Sequence, residues 1–123
     1  MRRYQRLTRT GDFTAVRQAK RSSADELLVL MIRSNGLETS RVGFSVSKRV
    51  GNAVVRNKTK RRLKEAVRRT PLKTGWDLIL IARKDASAAN FQELSHSVKR
   101  LIGRAGIFSR PTHEVTHLQK AKR

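Results

Sequence analysis

The residues of this chain with the most chemistry to offer are cations. Lys48, Arg49, Arg56, Lys58, Lys60, Arg61, Arg62, Lys64, Arg68 and Arg69 all fall between positions 48 and 69, with Glu65 as the one acid among them. Wound at about 100° per residue, positions 55–69 gather Val55, Thr59, Leu63, Ala66 and Val67 into a core-facing stripe. Arg56, Lys60 and Lys64 then form a row on one flank, Arg61 and Arg68 run beside Asn57, and Lys58, Arg62 and Arg69 take the other flank. Like charges at i,i+4 cost about 0.2–0.5 kcal/mol per pair, and Arg56, Lys60, Lys64 and Arg68 make such pairs in succession. A solvated helix face alternates its signs, so this one points to a polyanion that offsets the repulsion. Arginine forks onto phosphate in a bidentate way, whereas lysine acts as a point charge. Asn57 has two readings on physics alone: a hydrogen bond to a base edge or ribose hydroxyl, or a brace for the helix start.

Other chemistries are poorly supplied. The chain has no cysteine, which excludes disulfides, thiolate zinc sites and cysteine nucleophiles. His113-Glu114-Val115-Thr116-His117 matches the zinc-protease helix motif, but too few residues follow for a third ligand, so coincidence is the better reading. Asn57-Lys58-Thr59 is a glycosylation sequon on a basic helix and carries no weight. A self-sufficient nuclease needs grouped carboxylates or histidines. Asp25 with Glu26, and Asp77 with Asp85, are weak pairs for a two-metal site, and His96 reads as an exposed or edge residue. No catalytic residue and no metal site is assigned to the protein.

The elements that position the cations follow from periodicity. Thr10 is a candidate cap for a short helix bearing Asp12, Phe13, Val16 and Arg17, and the polar stretch Arg21-Ser22-Ser23 ends it. Leu27–Ile32 reads as a strand buried on both faces. Arg41–Ser47 alternates Val42, Phe44 and Val46 against Gly43, Ser45 and Ser47, as a half-covered strand does. Asn35-Gly36 lies between them, which suggests a hairpin. Asn52 caps the basic helix, and the small residues Gly51-Asn52-Ala53 let a backbone approach its N-terminus, where free N–H groups attract phosphate. Pro71 and Gly75 bracket the loop to a third strand, Trp76–Ala82. Asn90 caps a last helix with Leu94, Val98, Leu101, Ile102 and Ala105 inward, ended by Gly106.

The expected order is therefore α-β-β-α-β-α, with one extra short strand allowed, in a single α+β sandwich domain over residues 1–108. Strands 41–47 and 76–82, joined by a helix, are expected to be parallel. Residues 109–123 are expected to form a basic flexible tail. At 123 residues one domain is the natural size. The 29 Lys+Arg exceed the 9 Asp+Glu to give a net charge of +20, which favours nucleic acid over cationic ligands. No apolar run is long enough to span a bilayer and the basic N-terminus lacks the apolar stretch of a secretory signal. A cytoplasmic protein with no membrane partner and no small-molecule substrate is expected.

The run Arg41-Val42-Gly43-Phe44-Ser45-Val46-Ser47-Lys48-Arg49-Val50-Gly51-Asn52-Ala53-Val54-Val55-Arg56-Asn57-Lys58-Thr59-Lys60-Arg61-Arg62-Leu63-Lys64-Glu65 resembles the motif of the bacterial ribonuclease P protein family. Asp12-Phe13, the strand Leu78–Arg83 and the last amphipathic helix extend the resemblance over about residues 5–105. It implies the small basic subunit of a ribonucleoprotein endonuclease whose catalytic RNA removes the 5′ leader of precursor tRNA, with Mg2+ bound by the RNA. The catalytic RNA would be contacted by Arg56, Asn57, Lys58, Lys60, Arg61, Arg62 and Arg68. The leader would lie in a cleft between the sheet and the first helix, at Phe13, Arg17, Ser45, Ser47, Lys48 and Arg49. A ribosomal-protein-like sandwich with a left-handed β-α-β crossover is also implied, the opposite of the hand that general rules favour. The family's Arg-Asn-Arg is here Arg56-Asn57-Lys58, which keeps the charge and loses the fork. Arg17 and Leu30 stand where further cleft aromatics are expected, while Phe44 reads as core. The alternatives from other classes are a ribosomal or ribosome-assembly RNA binder without a part in cleavage, and an autonomous nuclease.

Overall fold

The computed structural model describes residues 4–109. Its elements run β1 (Tyr4–Arg6), α1 (Thr10–Gln18), β2 (Arg21–Ala24), β3 (Leu28–Ser34), β4 (Ser40–Ser45), α2 (Ala53–Arg68), β5 (Trp76–Ala82), a 3-10 turn (Lys84–Ala88) and α3 (Phe91–Arg104). The five strands form one sheet in the order β1-β4-β5-β3-β2. The α+β class and the parallel pairing of β4 with β5 match the sequence reading.

Two expectations about strand pairing fail. The hairpin of β3 and β4 does not form, because β5 lies between them, antiparallel to β3 and parallel to β4. Leu78, Ile79 and Leu80 are fully buried, and a strand apolar on both faces belongs at the centre of a sheet. The Asn35-Gly36 turn does form, with Gly36 at φ 70°, but it turns the chain without pairing its flanks. Two extra strands rather than one join the sheet, β1 parallel to β4 and β2 antiparallel to β3. Both are short, polar edge strands and lack the apolar alternation that marks a strand in sequence.

The two faces of the sheet carry different loads. On one, Leu28, Leu30, Ile32, Val42, Leu78 and Leu80 meet α2 through Leu63, Ala66 and Val67, and α3 through Leu94, Val98, Leu101 and Ile102. The basic helix is thus anchored by the predicted stripe, though Val55 is only half-buried. On the other, the smaller α1 lays Val16 on Ile79 and Leu7, flanked by Phe13, Met31 and Ile81. Leu30 is 1% exposed among the α2/α3 core residues, so it is not a cleft position; register places it on the face opposite Phe13. Phe44 packs against the main core only in part.

Local chemistry sets the helix ends. The Asn52 side chain accepts a hydrogen bond from the Val55 amide at 3.0 Å, and Asn90 with Glu93 forms a reciprocal capping box. Thr10 is not a cap: α1 begins on it, with Arg9 preceding and no side-chain cap bond. A Cβ on Gly51 would fall 2.7 Å from Val55 Cγ1, so the approach to α2 needs glycine. β4 stops at Ser45, two residues before the expected end, and residues 47–51 turn into α2 through Val50 N–H to the Ser47 carbonyl and Gly51 N–H to the Lys48 carbonyl.

Asp25 ties β3 to α3. It accepts from the amides of Leu27 and Leu28, from Ser97 Oγ at 2.6 Å and from Arg100 at 2.9 Å. Burial pushes its carboxyl upward, but the Ser97 and backbone hydrogen bonds with Arg100 outweigh this and hold it below the ordinary aspartate value. A lowered folded pKa adds stability above the unfolded value and loses it as pH falls through the folded one. Ser97→Ala is therefore expected to lower the stability at neutral pH and to shrink the acid-side loss, whose lower end moves up with the folded pKa while its upper end stays at the unfolded value. Urea midpoints across the acid range measure it, and an unshifted acid limb would contradict the assignment.

Candidate nucleic-acid interface

The two flanks of α2 meet different surroundings. On the flank of Lys58, Arg62 and Arg69, an Arg62 guanidinium nitrogen donates to the Ala89 carbonyl at 2.9 Å, and Arg69 lies over the Phe91 ring, 5.2 Å from its centroid. Those contacts tie the basic helix to the start of α3. Sequence periodicity found this flank but not that Arg62 turns a donor inward. The opposite flank, with Lys60, Arg61, Lys64 and Arg68, borders the sheet edge at β1 and β4.

Two cavities open along that border. The smaller, about 230 Å³, is lined by Arg6 and Thr8 from the N-terminal strand, Phe13 from α1, Gly43 and Phe44 from β4, and Lys60 and Lys64 from α2, with Leu7 and Val42 beneath. The larger, about 420 Å³, lies between Tyr4, Arg6 and Phe44 on one side and Arg61, Lys64, Glu65 and Arg68 on the other. Phe13 owes its place to Gly43: a Cβ there would be 2.8 Å from Phe13 Cε1 and closer still to Cζ. The bare backbone of Gly43 is thus the seat of the ring. Asp12, one residue earlier, accepts from Arg41 at 3.2 Å, and the same guanidinium makes a two-pronged bond to the fully buried Asp77 at 2.9 and 2.7 Å. Asn35 Nδ2 also donates to Asp77 at 2.8 Å. The hydrogen bond to Asp77 raises the Arg41 pKa, so the cation is permanent.

Phe13 and Lys60, assigned from sequence to different RNAs, therefore share one cavity, and Arg61 and Arg68 share the next. Arg17 is exposed one turn beyond Phe13, Ser45 is half-buried, and Ser47, Lys48 and Arg49 are exposed in the turn before α2. None of these five lines either cavity. Ser47 Oγ accepts from the Arg49 amide and helps shape that turn. Asn57 and Lys58 are exposed on α2. Arg56 is half-buried, and its Nε has no hydrogen-bond partner among the described residues. Arg6, Thr8 and Lys64 were missing from the predicted site; Lys64 belonged to the like-charge row, whereas Arg6 had no signal before β1 was known.

Glu65 separates the cations locally. It takes two hydrogen bonds from Arg68, at 2.9 and 2.6 Å, and one from Arg69 at 2.6 Å. The Arg68 hydrogen bond, then that of Arg69, lowers its carboxyl to about 2. Of the carboxylates weighed for metal work, Asp77 is engaged by Arg41 and Asp25 by Arg100. The predicted His-Glu-x-x-His segment lies outside the described residues.

A family model described as Ribonuclease P matches residues 1–106. The chain belongs to the ribonuclease P protein family. It is 41% identical over 116 residues to the ribonuclease P protein component of Dehalococcoides mccartyi, covering 94% of this chain and 97% of that one. Among solved structures it resembles the Staphylococcus aureus RNase P protein with a TM-score of 0.76 and 31% identity, over 85% of this chain and 97% of that one. The RNase P protein of Thermotoga maritima gives a TM-score of 0.72 at 31% identity, over 81% of this chain and 96% of that one. For a ribonuclease P protein the division of labour in the fold is economical: one helix face holds the core while its outer flank, α1 and the β4 edge present charge around two rings. No helix among the described residues is long and apolar enough to cross a membrane.

Proposed function

We propose that the chain acts as the protein subunit of ribonuclease P, binding the catalytic RNA along α2 and the single-stranded 5′ leader of precursor tRNA beside α1. The observation that carries this reading is the seating of Phe13 on Gly43, inside a cavity rimmed by Arg6, Lys60 and Lys64. A half-exposed ring among cations suits an unpaired nucleotide, because the base stacks while phosphate meets the rim. Arg56, Asn57, Lys58, Lys60, Arg61, Arg62 and Arg68 are the proposed contacts to the catalytic RNA. Phe13 and Arg17 on α1, with Ser45, Ser47, Lys48 and Arg49, are the proposed leader set.

The protein's work in this reading is electrostatic and steric. Its cations neutralise phosphates where two RNAs approach one another, and holding the substrate favours Mg2+ binding by the RNA. Asp12, Asp25, Glu65 and Asp77 are each held by arginine and so are poorly suited to a hard dication. The hydrolytic centre is placed in the RNA and the protein in the cytoplasm.

The test is precursor-tRNA cleavage at low magnesium, with and without the cognate catalytic RNA. Stimulation of the RNA by the protein is expected. Cleavage by protein alone, or no stimulation, would overturn the reading, the latter in favour of a ribosomal or assembly role. Phe13→Ala is expected to weaken precursor binding while leaving mature tRNA binding unchanged, since only the precursor carries a leader. Equal losses for both would refute the cleft.

A further inference from the structure

Arg61 and Arg68, two of the proposed catalytic-RNA contacts, rim the larger cavity, but its aromatic wall has no role yet. Phe44, expected in the core, is half-buried, and it lines both cavities. The cause is topological. β1 pairs with β4 only as far as Val42, while β4 continues to Ser45. Gly43, Phe44 and Ser45 therefore run past the end of their outer neighbour, and the larger cavity lies between Tyr4, Arg6 and Phe44 on the sheet and α2.

The chemistry of that space is mixed in a particular way. Its wall holds the half-buried Phe44 ring beside the buried Tyr4, and its rim holds Arg6 from the sheet edge with Arg61 and Arg68 from the helix. Its acid, Glu65, is occupied by Arg68 and Arg69. An acidic peptide would satisfy the rim and leave the ring uncovered, whereas an unstacked nucleotide has both a flat π-face and a phosphate on either side. About 420 Å³ is within the usual range of roughly 300–1,000 Å³ for sites that enclose small organic groups. Arg6, Phe44 and Lys64 are common to both cavities, so one strand can run from the Phe13 seat across Phe44.

We infer that the β4-edge cavity is a second nucleotide seat, in which one base of a single-stranded RNA stacks on Phe44 while its phosphates meet Arg6, Arg61 and Arg68. This rests on the reading of the chain as an RNA binder.

The test uses the full chain with oligouridine and with an abasic ribose-phosphate oligomer of equal length. Measuring in the Phe13→Leu chain silences the ring of the neighbouring cavity, and Tyr4 is unchanged in every chain compared. That chain is expected to bind oligouridine at least about fivefold more tightly than the abasic oligomer. Phe44→Leu in the same background should abolish the preference and leave abasic binding unchanged; Phe44→Trp, which restores a π-face, should keep or enlarge it. Arg61→Gln should weaken both oligomers equally and flatten the salt dependence. A preference that survives Phe44→Leu, or is absent from the Phe13→Leu and Phe44→Trp chains, overturns the seat, as does polyglutamate competing as well as oligouridine. Intact binding of both oligomers without base preference removes the seat alone. Failure to bind either oligomer or the cognate catalytic RNA removes the RNA reading with it.

Discussion

Replacing Arg41 with methionine lowers the unfolding free energy by about 3 kcal/mol, the lower end of the cost of stripping the partner from a buried charge. Asp77 has no exposed surface, and Arg41 holds it through two nitrogens at 2.9 and 2.7 Å. The loss stays near the lower end because Asn35 Nδ2 remains on the carboxylate at 2.8 Å and Arg33 stays within ion-pair reach at 3.9 Å. Adding Asp77→Leu to Arg41→Met is expected to recover most of the loss, since an apolar replacement of a buried pair is often neutral. Asp12→Asn, at the partly exposed end of the same guanidinium, should cost less than about 1 kcal/mol. Urea midpoints of the four chains decide the matter. A single Arg41→Met cost under about 1 kcal/mol, or a double variant no better than the single, would show that Asp77 does not depend on this partner.

Gly43→Ala leaves most of the stability in place and removes the ring seat. The added methyl would fall 2.8 Å from Phe13 Cε1, so the ring must lift from the sheet. The ring edge is the movable end of a half-exposed side chain, which puts the folding penalty near 1 kcal/mol, at the low end for overpacking. In binding, the expected loss is the stacking contribution of the displaced ring, about 1–3 kcal/mol for precursor tRNA. Affinity for mature tRNA and for the catalytic RNA should be unchanged, because α2 is untouched. The effect must also be non-additive with Phe13→Ala, since both changes remove the same ring. Additive losses, or equal losses for mature and precursor tRNA, would place the leader elsewhere.

Some elements of this fold are specified by local sequence and others only by their partners. α2, α3 and β5 were legible because their signals are local. Asn52 and Asn90 both cap as expected, and the run Trp76–Ala82 is the strand itself. Strand pairing is not local. Asn35-Gly36 signals a turn but cannot say which strand fills the space beside it, and β5, apolar apart from Asp77, displaced the expected hairpin. β1 and β2 carry polar edge sequences, so only their partners reveal them.

For the candidate site, the cations of α2 were readable from winding alone. Which of them turn inward was not: Arg62 reaches the Ala89 carbonyl and Arg69 the Phe91 ring, and both partners lie more than a full helix away in sequence. The openness of Phe44 had the least signal, because it depends on where a neighbouring strand stops.

The central position of β5 also bears on how the chain is made. β4 reaches β3 only through β5, in the order β1-β4-β5-β3-β2. Until Trp76–Ala82 has left the ribosome, the strands already synthesised can form at most two separate two-stranded ribbons, and such ribbons are marginal in water. The nascent segment up to that point already contains α2 and most of the positive charge. It therefore emerges as an unfolded polycation, and its final closure waits on long-range strand insertion, an intrinsically slow event. Deleting or delaying β5 should leave a chain that binds RNA by charge alone and never builds either ring seat.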